Sequence, residues 1–290
     1  MNDGGPALRL ERVAKRFGRR HWALREATVE LPAGRVAALV GPNGAGKTTL
    51  LMLATGLLEP TGGRVEVFGE PIDRRRMPAE MSFLAQDKPL YPGFRVAEML
   101  RAAAVLNRGG RWDAGYARSL VAAAGIGPRQ RIRELSPGQR ARVALAVALG
   151  RRPSLLLLDE PLAELDPLAR RDVMGTLLGE VAESGMAVLM SSHVLADLED
   201  ACDHLVVLRD GAVTLAGDID ALLAGHSHVT GPADASALDP ATVVHHVTRG
   251  RQTSALIHGT AAPAGYRRGT PTLDDLVMGY LRAPGREEVA

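Results

Sequence analysis

Cysteine is nearly absent: the 290-residue chain holds one, Cys202. A lone thiol cannot close an internal disulfide or build a thiolate metal site, which excludes a disulfide scaffold and a zinc ribbon. Cys202 reads as a small residue on a helix. Aromatic residues are only 3% of the chain. An excess of either charge is missing too. Lys and Arg number 35 against 33 Asp and Glu, a formal net charge of +2, which leaves no basic footprint for nucleic acid or acidic lipid. Lysine itself is scarce, with Lys15, Lys47 and Lys88 the only three. Most arginines therefore read as ordinary surface charge under a GC-rich coding bias. Apolar runs such as 36–40 and 155–158 have the length of buried strands, well short of the roughly 18 residues that span a bilayer. Residues 2–6 are polar and Gly-rich where a secretory leader would be charged and then apolar. The expectation is a cytoplasmic chain that meets a membrane only through a partner.

What is present supports a packed core. Hydrophobic residues make up 46% of the chain, enough for one large domain or a domain with a small appendage. Alternating patterns predict strands over 8–13 and 23–31, and continuous apolar runs predict buried strands over 36–40 and 155–158. Further short strands are expected at 64–68, 81–86 and 187–190. Helical spacing covers 47–58, 95–106, 117–124, 139–149, 167–184 and 194–201. Strand and helix alternate, the α/β pattern. After about Gly225 the composition shifts to Gly, Pro, His, Thr and Ser, with β-branched runs at 243–247 and 254–257 and a helical spacing at 273–281.

Gly41, Pro42, Asn43, Gly44, Ala45, Gly46, Lys47, Thr48 and Thr49 fit G-x-x-x-x-G-K-[ST], between a buried strand and a helix. Glycines let successive backbone N–H groups turn around a phosphate, and the helix N-terminus adds partial positive charge. Lys47 reaches the β- and γ-phosphates, and the Thr48 hydroxyl can ligate Mg²⁺. Downstream, the 155–158 strand delivers Asp159 and Glu160 side by side, followed by Pro161. Asp159 suits the Mg²⁺ shell, and Glu160 suits the orientation and deprotonation of an attacking water.

Leu135, Ser136, Pro137, Gly138 and Gln139, just upstream of that strand, resemble the LSGGQ signature of ABC ATPases. With the phosphate loop and the Asp-Glu-Pro strand in order, the resemblance covers about residues 8–222. It implies an α/β P-loop NTPase of the ABC type: a RecA-like core, an antiparallel β subdomain and a helical signature subdomain at about 87–150. The expected division is an ATPase domain over 1–224 and a small C-terminal α/β region over 225–290. By the same resemblance Gln86 matches the Q-loop glutamine that senses Mg²⁺ and water, Asp166 the D-loop aspartate and His193 the switch histidine. Phe17 matches the ring that stacks on adenine, with Trp22 as its nearby competitor. Ser136, Gly138 and Gln139 are expected at the nucleotide of a second subunit, making the protein a homodimer or a heterodimer with a similar ATPase subunit. ATP and Mg²⁺ are the implied ligands.

Three positions depart from the family pattern. Pro137 replaces a signature glycine and removes one N–H, Ala163 stands where a D-loop serine is common, and Phe17 stands for a frequent tyrosine. The segment containing Tyr91 and Phe94 matches where the family docks its separate transmembrane permease. The run from Leu165 to Arg171 and the ending 273–282 resemble ATPase subunits of ABC-2-type exporters of drugs, antibiotics, peptides or lipids. The alternatives are an importer ATPase, or a non-transport ABC protein acting on ribosomes or nucleic acid; nucleic acid is not an expected partner. The histidines His226, His228, His245, His246 and His258 lack metal spacing and are expected at the surface.

Overall fold

In the computed structural model, which describes residues 5–72, 77–108, 110–195, 198–199 and 201–283, the first alternating patterns form a long hairpin. Strands β1 (Pro6–Phe17) and β2 (His21–Pro32) join β4 (Gly62–Val67) and β5 (Glu70–Pro71) in an antiparallel sheet of order β2-β1-β4-β5. The apolar run becomes β3 (Val36–Val40), every residue buried. It centres a six-stranded sheet with β6 (Met81–Leu84), β7 (Leu155–Leu158), β8 (Ala187–Ser192), β9 (His204–Arg209) and β10 (Ala212–Asp218), in the order β10-β9-β3-β8-β7-β6. All neighbours in it are parallel except β9 and β10, which form a hairpin.

Helix α1 (Lys47–Ala54) follows β3 and ends four residues before the apolar spacing does. The chain turns at Gly56 (φ +75°), and Leu57 is left exposed. Leu8, Leu10, Leu39, Leu50 and Leu155 fill the layer between the antiparallel sheet, α1 and one face of the parallel sheet. Each such leucine contributes about 2 kcal/mol of burial. The other face is covered by α4 (Pro137–Leu149) and α5 (Pro167–Ser184). With α2 (Val96–Leu106) and α3 (Ala114–Ala123), α4 also encloses a second core of Val96, Met99, Val121, Ile132 and Val143.

The β9–β10 hairpin had no sequence expectation attached to it, although Asp210-Gly211 marks its turn (φ +50° and +79°). The helix expected over 194–201 falls partly on residues 196, 197 and 200, outside the described residues. Cys202 is not on a helix; it precedes β9, and burial pushes its thiol up to about 12.

Beyond α6 (Ile219–Ala224), β11 (His226–Pro232), β12 (Val243–Arg249), β13 (Gln252–His258) and β14 (Arg267–Gly269) form an antiparallel sheet of order β12-β13-β11-β14. Helix α7 (Leu273–Arg282) buries Leu273, Leu276, Val277 and Tyr280 in the same core as Leu205 and Val207 of β9. No helix among the described residues is long and apolar enough to cross a membrane.

Candidate active site

The loop between β3 and α1 presents backbone instead of side chains. At Gly41 a Cβ would lie 2.2 Å from the Leu208 carbonyl oxygen; at Gly46, with φ +106°, it would lie 2.5 Å from that of Ala23. Glycine alone fits both positions. The free N–H groups of α1 and their partial positive charge open onto this loop. Lys47 is buried; its Nζ donates to the Gly41 carbonyl at 2.7 Å and lies 3.4 Å from the Pro42 carbonyl. Ala45 is buried as well, and its carbonyl accepts from Gly211 N–H in the β9–β10 turn.

The end of β7 brings Asp159 and Glu160 to this loop, both buried. Ser191, at the end of β8, holds them: its hydroxyl donates to Asp159 Oδ1 at 2.7 Å and accepts the Glu160 N–H at 2.8 Å. Glu160 sits in the left-handed region, φ +46°, a conformation that a long side chain keeps only where its surroundings enforce it. Its Oε1 is 3.4 Å from Lys47 Nζ and its Oε2 2.7 Å from His193 Nδ1. One carboxylate therefore bridges the lysine of the loop and the histidine after β8. Ser191 and the Lys47–Glu160 pair went unanticipated in the sequence, where Ser191 lies just past the strand expected over 187–190 and stands only as a neighbour of His193.

Lys47, Glu160 and His193 line a cavity of about 480 Å³ together with Phe17, His21, Thr48 and Gln86. Phe17 is 44% exposed and stacks near-parallel to His21, centroids 6.5 Å apart. His21 was missed too; the β1–β2 register, which pairs it with Phe17, is what places it there. Trp22 lies outside the cavity, with Arg16 over its ring at 5.2 Å. Thr48 and Gln86 line, together with Asp159, a second cleft of about 720 Å³, whose lining also includes Pro137 and Arg140. Hydroxyl, amide and carboxylate oxygens on one cleft are a hard donor set suited to Mg²⁺.

The signature residues are not brought into the loop's cavity. Ser136 caps α4, accepting Gln139 N–H at 3.2 Å while Gln139 Oε1 accepts Ser136 N–H at 3.0 Å. Gly138 lies against α5, where a Cβ would come 2.8 Å from Ala169 Cβ. Asp166 caps α5, accepting from Leu168 and Ala169 N–H at 3.0 Å each. The expectation that the C-terminal histidines are surface residues fails for His226, which is buried, and in part for His228 and His245, which are half-buried, while His246 and His258 are exposed. Strand alternation explains this, since His226 pairs with His258 and His228 with Leu256 on the face that α7 covers.

A family model described as ABC transporter matches residues 24–163. The chain is 34% identical over 222 residues to the ABC transporter ATP-binding protein YxlF of Bacillus subtilis, spanning 74% of this chain and 72% of that one. It is 37% identical to an aliphatic sulfonates import ATP-binding protein of Pseudomonas aeruginosa (73% and 75% covered). A lipoprotein-releasing system ATP-binding protein of Rhodospirillum rubrum is also 37% identical (72% and 98% covered). Among solved structures, cbiO1 of Clostridium perfringens, part of the ABC transporter complex cbiONQ, superposes with TM-score 0.64 at 29% identity, covering 74% of this chain and 89% of that one. A cradle of backbone N–H groups, a lysine and a carboxylate for phosphate chemistry, and relatives on every side that bind ATP lead to one conclusion: the chain belongs to the ABC transporter family, as an ATP-binding and ATP-hydrolysing subunit.

Proposed function

We propose that two ATPase subunits, this chain and a second copy or close relative, close around two ATP molecules and drive a separate membrane permease, in the direction of export. The observation that carries the ATPase reading is Glu160, buried between Lys47 and His193 at the mouth of the phosphate loop. Lys47 binds the β- and γ-phosphates, Phe17 stacks on adenine, and the free N–H groups of the loop and α1 receive phosphate oxygens. Glu160 Oε2 accepts a proton from the attacking water, which His193 helps to orient. Thr48, Gln86 and Asp159 would hold Mg²⁺, which when bound neutralises charge on the β- and γ-oxygens. Ser136 and Gly138 would complete the partner's site, a reading supported by their position outside this chain's own cavity. Loss of the γ-phosphate removes that tie and reopens the pair.

The permease is proposed to dock at Tyr91 and Phe94, whose exposed rings lie 5.0 Å apart, an aromatic pair suited to an interface. That docking would hold the protein at the inner membrane face. Residues 1–224 would form the ATPase domain and 225–290 the accessory region. Export is supported by the resemblance of 165–171 and 273–282 to exporter subunits. A bacterial Atm1-family ABC exporter also superposes at TM-score 0.65 with 26% identity, covering 76% of this chain and 40% of that one. Import is favoured by the sulfonates relative named above. Mixed dimers decide the shared-site reading: one Ser136→Arg subunit should silence the partner's site, and undiminished ATPase there would sink it. Direction is read from ATP-driven substrate flux with the permease in oriented vesicles. Uptake into inside-out vesicles is the export result.

A further inference from the structure

His226, Tyr280 and His258 form a closed hydrogen-bond chain between the C-terminal sheet and α7. His226 Nδ1 lies 2.6 Å from the Leu222 carbonyl oxygen, and its Nε2 lies 2.9 Å from Tyr280 Oη. Tyr280 Oη is also 2.9 Å from His258 Nε2. The partners fix the protons. A carbonyl only accepts, so His226 Nδ1 carries the hydrogen and its neutral ring offers a bare Nε2. The Tyr280 hydroxyl donates to that nitrogen and accepts from His258 Nε2–H. The chain stays paired with both rings neutral or with a single proton: a hydrogen on His226 Nε2 is accommodated when the hydroxyl turns to donate to His258 Nε2 and His258 carries its hydrogen on Nδ1. A second proton sets two N–H donors against one hydroxyl and leaves the hydroxyl proton without an acceptor. The two imidazoles, centroids 4.4 Å apart, would then repel as well.

Among the described residues no carboxylate partner offsets such a charge. His228 of β11, His245 of β12 and Arg267 of β14 share the sheet face of the pair, Arg209 of β9 bonds the Tyr280 carbonyl and Arg282 of α7 acts on His245, while His246 and Arg268 lie on the opposite face. The carboxylates are Asp218 and Asp220 at the start of α6, and Asp274 and Asp275 in the first turn of α7. Among the described residues none of them pairs with either ring. Burial and the neighbouring His226 hold His258 below its ordinary 6.5. Burial, Arg282 and His246 do the same to His245, whose Nε2 is buried without a partner. Docking thus tolerates one proton on the pair and opposes the second. Docking is at full strength above pH about 6.5 and weakens as the pH falls below it.

The same end of α7 is connected through β9 to the phosphate loop. Arg209 Nη1 donates to the Tyr280 carbonyl at 3.0 Å and also contacts the Ala283 carbonyl, closing the helix C-terminus. Next to Arg209 in β9, the Leu208 carbonyl backs Gly41, and Gly211 N–H holds the Ala45 carbonyl. We propose that the His226–Tyr280–His258 chain is an acid-sensitive latch of the C-terminal sheet on α7, and that its opening loosens the phosphate loop through Arg209.

The proposal rests on nucleotide binding by that loop, and its test has one readout independent of nucleotide. In the full chain, backbone hydrogen exchange over β11 and β13, corrected for intrinsic rates, should rise severalfold from about pH 7.5 to about pH 5.5. ADP, which lacks the γ-phosphate, should bind about three- to tenfold more weakly over the same interval. A His226→Gln/His258→Gln variant keeps hydrogen-bonding groups and takes no proton; its exchange should stay flat. Its ADP affinity should change less than that of the unaltered chain, the phosphate's own titration being common to both. Tyr280→Phe, which removes only the shared hydroxyl, should show at about pH 7.5 the exchange and affinity of the unaltered chain at about pH 5.5, should the double variant fail to fold. Equal pH profiles in variant and unaltered chains overturn the latch. An exchange response without an affinity response overturns the link through Arg209. Failure to bind ADP at any pH overturns the nucleotide reading instead.

Discussion

Glu160 is held by three different neighbours, and each constrains a different part of it. Ser191 fixes its backbone N–H, while Lys47 and His193 hold its two carboxylate oxygens. The left-handed backbone at Glu160 is maintained by that surrounding structure and aims the side chain back across the loop. Glu160→Gln keeps the shape and the hydrogen bonds but cannot accept a proton. ATPase turnover should fall by at least about 10²-fold with nucleotide binding retained, and the ATP-bound dimer should accumulate in size-exclusion chromatography. Turnover at the unaltered rate would remove Glu160 as the base. The pairing of lysine, carboxylate and histidine could not be read from spacing, because 113 residues separate Lys47 from Glu160 and another 33 lead to His193.

Elements carried the clearer signal. Strand β3 and helix α5 coincide with their sequence expectations at both ends, because an uninterrupted apolar run and a Pro-opened, Gly-closed periodic segment mark their own limits. Helix α1 falls short of its expected end, since Gly56 turns the chain while apolar residues continue. The loop between β3 and α1 depends on backbone geometry that no side chain can share. Gly46→Ala would strain a φ of +106° and press a Cβ against the Ala23 carbonyl. The expected outcome is loss of ATP binding by at least about tenfold in calorimetry, with the fold kept. Wild-type affinity in a folded Gly46→Ala chain would show that the loop tolerates the side chain. Pro137, a departure from the family signature, sits at the first position of α4, where its missing N–H and fixed φ suit a helix start. Ser136 keeps its capping bond with Gln139 despite it.

At the scale of the whole molecule, the C-terminal region is joined to the ATPase by packing as well as by chain. Leu276 of α7 is fully buried in the core that includes Val188, Leu205 and Val207. Leu276→Ala should cost about 2–5 kcal/mol, read as a lowered unfolding midpoint of the full chain. A change under about 0.5 kcal/mol would mean that α7 is only loosely applied. The sequence by itself determined the chemistry. The phosphate loop and the Asp159–Glu160 pair are recognisable because each needs particular residue types at fixed local spacing, while Gln86, the Ser136 signature and His193 are recognisable through the resemblance to ABC ATPases. The α/β class followed from strand and helix periodicities, which are also local. Only the tertiary structure decided that Ser191 holds both acidic residues, that His21 shares the cavity with Phe17, and that Trp22 does not. It alone turned His226 inward to meet Tyr280 and His258. Those facts depend on strand register and on which sheet face a helix covers, and a one-residue change of register reverses every side chain. Cysteine scarcity had excluded disulfides from holding the C-terminal region in place. The buried face of α7 and a His–Tyr–His chain hold it instead.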